Sequence, residues 1–263
     1  MKAILNGTTL AYSDRGKGLP LLLIHGFPLC RKMWRMQAEA LARAGCRVIT
    51  PDLRGFGESD APSGAVSMDT YADDVVALLD HLEIDKAVTG GMSMGGYVLL
   101  NLLERHPDRV AAPIFIVTKA EDDDEAGKAR RTALAEACRA QGIQPVTDAF
   151  RTSLFAPETV SNNTELVNEV LNWIQATDPQ AAAAALIAMR DRKNSLAMLG
   201  EIRQPALIIS ADQDQAITME QSRIIADTLP NAKLCILSAA GHMVNMEQAP
   251  EFNKAILTFL AGL

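Results

Sequence analysis

The sequence feature that most constrains the fold is the glycine-rich segment 89–96, TGGMSMGG. A short apolar run precedes it, and apolar residues follow it at three- and four-residue spacing, which is typical of a helix that covers a sheet. Gly91 and Gly95 stand two residues on either side of Ser93 and form the pattern G-x-S-x-G. In a sharp turn from strand to helix, side chains at these two positions would collide. The segment therefore predicts a strand, a tight turn at Ser93 and a helix.

A turn of this composition can have two roles. Ser93 could simply cap the helix, because serine is a preferred N-cap residue. Alternatively, its hydroxyl stands exposed above the sheet, at a helix N-terminus whose N–H groups point outward. The preceding strand, the following helix and the placement of both glycines favour the second interpretation, in which Ser93 is a nucleophile.

Composition limits the partners of the chain. The 263 residues carry 25 Lys and Arg against 32 Asp and Glu, a net charge of −7. This balance disfavours nucleic acid or an anionic membrane as the main partner. The N-terminus lacks the apolar stretch of a signal peptide, and no run of 18 apolar residues occurs, so we expect a cytoplasmic protein. The four cysteines form no C-x-x-C pair, so we expect neither a zinc site nor a disulfide scaffold.

The remaining pattern predicts an α/β protein. Short apolar runs, such as those at 20–24, 110–117 and 205–210, alternate with amphipathic segments of helical length, which indicates a parallel sheet covered on both faces. From 119 to 200 the pattern is helical only. We therefore predict a core formed by residues 1–118 and 201–263, with residues 119–200 inserted as a helical cap.

A serine hydroxyl needs a base, and the base needs an orienting acid. His242 is the best candidate base of the four histidines, because it lies in a loop just past the last predicted strand, where ligand-facing loops of open parallel sheets gather. The acid should follow the preceding strand, at Asp212 or Asp214. We prefer Asp214, because it leaves room for the strand to end and the loop to turn back, whereas Asp212 is expected to be a solvated turn residue. A buried carboxylate there would fix the imidazole tautomer.

Stabilising an oxyanion needs two N–H donors. The helix that follows Ser93 supplies the backbone N–H of Met94, and the loop His25–Pro28 would supply that of Phe27. His25 is expected to hydrogen-bond within this loop rather than to act as a base.

Four motifs together resemble the α/β-hydrolase fold superfamily. They are HGFP at 25–28, DLRGFGES at 52–59, GMSMGG at 91–96 and Gly241–His242. Within the superfamily the chain resembles small bacterial esterases and 3-oxoadipate enol-lactonase-like hydrolases, through segments 27–34 and 177–191. The resemblance implies a mostly parallel eight-stranded sheet with helices on both faces and an inserted cap. The order Ser, Asp, His along the chain also matches this superfamily.

The chain departs from the usual pattern of the superfamily at three places. Ala211 stands where a glycine is usual near the end of the strand before the acid, and Thr218–Met219 stands where prolines are usual after it. Cys30 occupies a position that is often Asp in such loops.

The resemblance implies a serine hydrolase that cleaves small to medium carboxylic esters or lactones through an acyl-enzyme, without a metal or organic cofactor. A cofactor-free perhydrolase, a carbon–carbon bond hydrolase and a non-catalytic ligand-binding member of the fold stay open as alternatives. Haloalkane dehalogenases and epoxide hydrolases use aspartate at the turn between strand and helix, so the serine at position 93 argues against both. The sequence does not fix the oligomeric state.

A substrate pocket is expected between the sheet and the cap. An anionic substrate would need a cap arginine, for which Arg190 and Arg192 are candidates. Apolar residues could also be ordinary core. The candidate lining residues are Trp34, Met92, Phe150, Leu154, Phe155, Trp173, Ile174 and Met243.

Overall fold

The computed structural model describes residues 1–62 and 64–263; residue 63, in the predicted core segment 1–118, lies outside the described residues. Eight strands form one sheet in the order β1-β2-β4-β3-β5-β6-β7-β8. The first two junctions, β1 with β2 and β2 with β4, are antiparallel, and all the others are parallel. The predicted eight-stranded, mostly parallel sheet is confirmed. The strands are β1 (Lys2–Leu5), β2 (Thr8–Gly16), β3 (Leu19–Ile24), β4 (Cys46–Pro51), β5 (Ala87–Met92), β6 (Val110–Ile116), β7 (Ala206–Ala211) and β8 (Ala232–Leu237).

The first hairpin follows from its turn residues. Asn6 and Gly7 both have positive φ, 49° and 72°, as a tight two-residue hairpin turn requires. Strand β2 runs on to Gly16, because its second half pairs with β4.

The central strands are buried on both faces, as the continuous apolar runs predict. Every residue of β5 and of β7 is buried. Helices cover both faces of the sheet, and each parallel crossover returns the chain to the same edge, so the loops after β5, β6, β7 and β8 share that edge. The helices outside segment 119–200 are α1 (Arg35–Arg43), α2 (Met68–His81), α3 (Met94–Arg105), α10 (Met219–Thr228), α11 (Val244–Glu247) and α12 (Ala249–Leu260).

Residues 119–200, which we call the cap, lie between β6 and β7 and contain helices and no strand in the structure. The sequence predicts a turn at Pro157 between two cap helices, and this prediction is wrong, because Pro157 begins a short helix. Proline is favoured at the first helical position, where its missing N–H would have no partner. The cap's standing as a separate domain stays a prediction. Its helices are α4 (Glu125–Gln141), α5 (Gln144–Arg151), α6 (Pro157–Asn162), α7 (Thr164–Gln175), α8 (Pro179–Arg190) and α9 (Leu196–Leu199).

The closing helix also differs from its prediction. The pattern predicts one helix over 247–260, whereas the structure has α11 and α12 separated at Gln248. Pro250 lies in the first turn of α12, where its missing N–H costs nothing. Within the described residues, none of the helices has both the length and the apolar character needed to span a membrane.

Candidate active site

Ser93 lies in a strained turn between β5 and α3. Its φ of 51° and ψ of −114° are unfavourable for a residue with a side chain. A Cβ at Gly91 would lie 2.2 Å from the carbonyl oxygen of Gly95, and one at Gly95 would lie 2.4 Å from that of Ile24. Both flanking positions therefore require glycine, as the G-x-S-x-G pattern predicts.

Strand β6 and the segment after it hold the backbone of this turn. The N–H of Ser93 donates to the carbonyl of Ile116 at 3.0 Å. The Ser93 carbonyl accepts from the N–H of Gly96 at 2.9 Å and from the Thr118 hydroxyl at 2.8 Å. Thr118 is buried and follows Val117, whose φ of 37° is rare for a β-branched residue. Sequence reasoning misses Thr118, because nothing in the local pattern links it to Ser93.

His242 and Asp214 form a buried pair. Nδ1 of His242 donates to Oδ2 of Asp214 at 2.7 Å, and the two side chains are 2% and 0% exposed. The other carboxylate oxygen, Oδ1, accepts from the N–H groups of Ala216 at 2.8 Å and Ile217 at 2.9 Å. The loop after β7 thus wraps around the carboxylate and fixes its direction, and this fixes Nε2 of His242 as the nitrogen available to a reacting group.

The alternative acid takes a different position. Asp212 is exposed, and its Oδ1 accepts from the N–H of Ala240 at 3.5 Å. The structure places Asp214 and not Asp212 against the imidazole. Ser93 is partly exposed, and among the described residues neither its hydroxyl nor Nε2 of His242 hydrogen-bonds to protein.

The two proposed oxyanion donors come from the loop after β3 and from the start of α3. Within residues 1–62 and 64–263, neither the N–H of Phe27 nor that of Met94 has a protein acceptor. Gly26 brings the loop close to the elbow, since a Cβ there would lie 3.3 Å from both the Met92 oxygen and the Ser93 Cβ. The two N–H groups are therefore unpaired on segments that approach each other at Ser93.

His25 braces this loop. Its Nδ1 donates to the carbonyl of Gly26 at 2.9 Å, and its Nε2 accepts from the N–H of Leu53 at 2.9 Å. Burial lowers the pKa of His25, outweighing the opposite effect of Asp52. The ring is thus a neutral linker between two loops, which agrees with the structural role expected from the sequence.

Asp52 organises the second of these loops. Its buried carboxylate accepts from the N–H of Arg31 at 2.6 Å and from that of Glu58 at 2.9 Å, and it forms an ion pair with the Arg31 guanidinium. The motif at 52–59 therefore serves as support for the loop that carries Phe27.

Four of the candidate lining residues, Phe150, Leu154, Phe155 and Met243, lie beside this region. The Phe150 ring packs edge-on to the Phe27 ring at 5.5 Å between centroids. Phe155 and Met243 are buried next to the His242 loop, where the N–H of Met243 donates to the Leu154 carbonyl at 2.9 Å. Phe150 also lines a cavity of about 220 Å³ within the cap. The side chain of Phe150 thus contacts Phe27, in the loop 25–28, and also lines this cavity.

The two tryptophans make their aromatic contacts elsewhere. The Trp34 ring is buried against Phe252 of α12 at 6.1 Å, and Trp173 lies beneath the guanidinium of Arg35 at 5.7 Å. These contacts are those of core packing and of the boundary between cap and core. A role for either tryptophan in binding substrate stays a prediction.

Neither candidate arginine presents a free charge to Ser93. Arg190 is paired with its neighbour Asp191 at 2.7 Å. Arg192 is buried, contacts Asp123 at 3.0 Å and stacks over the Tyr97 ring at 4.2 Å. Both guanidinium groups are therefore engaged in contacts within the protein.

The thiols are free and mostly buried. Burial raises the pKa of Cys30 to about 11, so this residue stays a neutral thiol close to the loop 25–28. Among residues 1–62 and 64–263, no group of three or more His, Cys, Asp or Glu side chains is arranged to hold a metal ion.

Known proteins share this architecture over nearly the whole chain. The structure is similar to that of a thermophilic esterase from Thermogutta terrifontis with malate bound, with a TM-score of 0.96 and 35% identity, covering 100% of this chain and 98% of the other. The sequence is 29% identical to 3-oxoadipate enol-lactonase 2 of Acinetobacter baylyi, covering 96% and 91% of the two chains. It is 26% identical to a non-heme chloroperoxidase of Kitasatospora aureofaciens, covering 97% of each.

These similarities confirm the resemblance to esterases and enol-lactonases. Residues 20–249, which include Ser93, Asp214 and His242, match the family described as the alpha/beta hydrolase fold. The strained serine turn, the strand order and this match agree, and the chain belongs to the alpha/beta hydrolase fold family.

Proposed function

We propose that this protein is a carboxylic ester hydrolase, an esterase or lactonase, in which Ser93 is the nucleophile, His242 the general base and Asp214 its orienting acid. The observation that carries the proposal is the buried contact of 2.7 Å between His242 and Asp214, on the same sheet edge as the strained Ser93 turn. A buried aspartate that fixes Nδ1 of the base is the arrangement that serine acyl transfer requires. The similarity to an esterase and to an enol-lactonase supports this class of substrate.

The reaction follows from these positions. Nε2 of His242 takes the hydroxyl proton of Ser93 as the oxygen attacks the ester or lactone carbonyl. The N–H groups of Phe27 and Met94 donate to the developing oxyanion, and each such donor is typically worth roughly 3 kcal/mol of barrier. The imidazolium then gives its proton to the leaving alkoxide, and water repeats the sequence on the acyl-enzyme.

Labelling with a fluorophosphonate tests the nucleophile. We expect incorporation at Ser93, with turnover of p-nitrophenyl acetate falling in proportion to the label. Ser93→Ala should remain unlabelled and lose kcat by roughly 10⁴-fold or more. A protein that stays unmodified and turns over no ester would instead be a ligand-binding member of the fold.

A panel of short- and medium-chain esters and lactones, assayed with the wild type and with Ser93→Ala, defines the substrate class. Because the chain is also similar to a chloroperoxidase, a second set of assays uses hydrogen peroxide in place of water as the acceptor of the acyl group. Peracid formation exceeding ester hydrolysis under matched conditions would favour a perhydrolase. Cleavage of a vinylogous diketone, in the absence of ester turnover, would favour a carbon–carbon bond hydrolase.

A further inference from the structure

The side chain of Glu247 links the cap to the loop that carries His242. One carboxylate oxygen, Oε2, accepts from the N–H of Ala156 at 2.8 Å and from the Thr159 hydroxyl at 2.6 Å. The other, Oε1, accepts from the N–H of Gly241 at 2.9 Å. Both oxygens of the carboxylate are thus occupied, by donors at Ala156 and Gly241 that lie 85 residues apart in the chain. From the sequence, Glu247 is assigned only as the first residue of the closing helix.

Both peptide neighbours of His242 are held by the same part of the cap. On one side, Gly241 is bound through Glu247 to residues 156 and 159. On the other side, the N–H of Met243 donates to the Leu154 carbonyl at 2.9 Å. The backbone of the base is therefore anchored before and after His242 to cap residues 154–159.

The packing between these segments leaves little freedom. A Cβ at Gly241 would lie 2.5 Å from the nitrogen of Ala156 and 2.5 Å from the carbonyl carbon of Phe155. Backbone thus packs directly on backbone, and a displacement of the cap segment has to move Gly241 with it. His242 would follow, because it is the next residue.

The charge of Glu247 also acts on this region. Burial raises the pKa of Glu247, its three hydrogen bonds oppose that effect, and the charge of Asp214 adds to it. The carboxylates of Glu247 and Asp214 are thus close enough for their charges to interact.

We infer that Glu247 is a positioning residue for the general base, which holds the His242 loop in register only while cap segment 154–159 is docked on it. The inference rests on the proposed role of His242. It assigns to the cap a second task besides covering the substrate, namely completing the catalytic geometry.

The test compares Glu247→Gln with Glu251→Gln. The amide has nearly the size of the carboxylate, but its NH₂ group cannot accept, so one set of donors loses its partner. Because small displacements of a base are costly to the reaction, we expect kcat for p-nitrophenyl acetate to fall by roughly tenfold or more, with a smaller change in KM. Glu251 is exposed at the start of α12, and its variant should retain wild-type kinetics.

Hydrogen exchange tests the coupling without using activity. In Glu247→Gln, peptides covering 154–159 and 239–247 should take up deuterium faster together, whereas Glu251→Gln should leave both unchanged. Faster exchange around residue 247 alone would overturn the inference, as would wild-type kcat in Glu247→Gln. A failure of the proposed function looks different, because in that case the wild type has no turnover that depends on Ser93.

Discussion

Nδ1 of His242 lies 2.7 Å from Oδ2 of Asp214, and the aspartate side chain is completely shielded from solvent. Asp212, two residues earlier, is exposed and lies outside this contact. Asp212 is therefore a matched control for Asp214, the proposed orienting acid. Two aspartates of the same loop differ mainly in whether they reach the imidazole.

We predict that Asp214→Asn lowers kcat/KM for p-nitrophenyl acetate by roughly 10²- to 10⁴-fold, because an amide can hold the ring in the wrong tautomer. Asp212→Asn should stay within about twofold of the wild type, as surface substitutions usually do. Steady-state kinetics on both variants, with circular dichroism to verify folding, checks the prediction. Equal losses in the two variants would contradict the assignment of Asp214.

A second prediction concerns the distance between the loop 25–28, which carries the proposed oxyanion donor Phe27, and the turn at Ser93. A Cβ at Gly26 would lie 3.3 Å from the Ser93 Cβ and from the Met92 oxygen, which is closer than most real contacts. In Gly26→Ala the loop should therefore shift away from Ser93 and carry the Phe27 N–H with it. We expect kcat to fall by roughly tenfold or more, because oxyanion donors act only at short range.

The control for this change is Gly200→Ala at the end of the cap. A Cβ there meets nothing closer than 3.9 Å, and its φ of −64° suits any residue. This variant should keep wild-type kcat and gain slightly in stability from reduced chain entropy. Unchanged kcat in Gly26→Ala would indicate that the loop does not supply a donor.

The local part of the site could be predicted from the sequence, and the long-range part could not. Ser93 is predictable because the turn requires glycine at 91 and 95, and both glycines stand two positions from Ser93 in the sequence. The choice between Asp212 and Asp214 depends on which carboxylate the loop wraps with the N–H groups of Ala216 and Ile217. That is a matter of backbone path, and two neighbouring aspartates carry almost the same sequence signal.

Thr118 and Glu247 illustrate the same limit. Each acts through a hydrogen bond to a distant segment, the Ser93 carbonyl in one case and the N–H groups of Ala156 and Gly241 in the other. No periodicity or motif connects such pairs. Helix α6 is not predicted for a different reason: proline is common in turns and also at the first position of a helix, so Pro157 alone does not distinguish the two.

A third prediction uses the lowered pKa of buried His25. Its ordinary pKa is 6.5, and burial lowers the value in the folded protein. Below pH 6.5 the unfolded chain therefore binds a proton that the folded chain does not, and stability falls as the pH falls. In His25→Gln, the free energy of unfolding should therefore depend less steeply on pH below pH 6.5. It should also lower the free energy of unfolding at pH 7.5 by about 1–3 kcal/mol, through lost hydrogen bonds.

Urea unfolding of the wild type and of His25→Gln at pH 5.0, 6.0 and 7.5 measures both effects. His81→Gln is a suitable control, because His81 is exposed at the end of α2. Identical pH slopes in the wild type and in His25→Gln would show that His25 titrates alike in the folded and unfolded chains.

The last prediction concerns Asp123, which holds three cationic side chains together at the start of the cap. Its carboxylate contacts Lys119 at 2.9 Å and Arg192 at 3.0 Å, and it also pairs with Arg131. Burial alone would raise the pKa of Asp123, but the hydrogen bonds and charges of these neighbours outweigh it and hold the value well below the ordinary one. The Arg192 side chain is 4% exposed, so water cannot replace the lost carboxylate.

Asp123→Asn should therefore lower the free energy of unfolding at pH 7 by about 3 kcal/mol, because it leaves a buried guanidinium without its counter-charge. Because the folded pKa is lowered, the contribution of Asp123 is complete above its ordinary pKa of 3.8 and is lost as the pH falls below that value. The difference in the free energy of unfolding between the wild type and Asp123→Asn should accordingly become smaller as the pH falls, as measured by urea unfolding between pH 3 and pH 7. Asp122→Asn, at a half-exposed position next to it, should cost far less. If the variants are equally stable while Asp123→Asn raises KM for anionic esters, the cluster serves substrate binding rather than the structure of the cap.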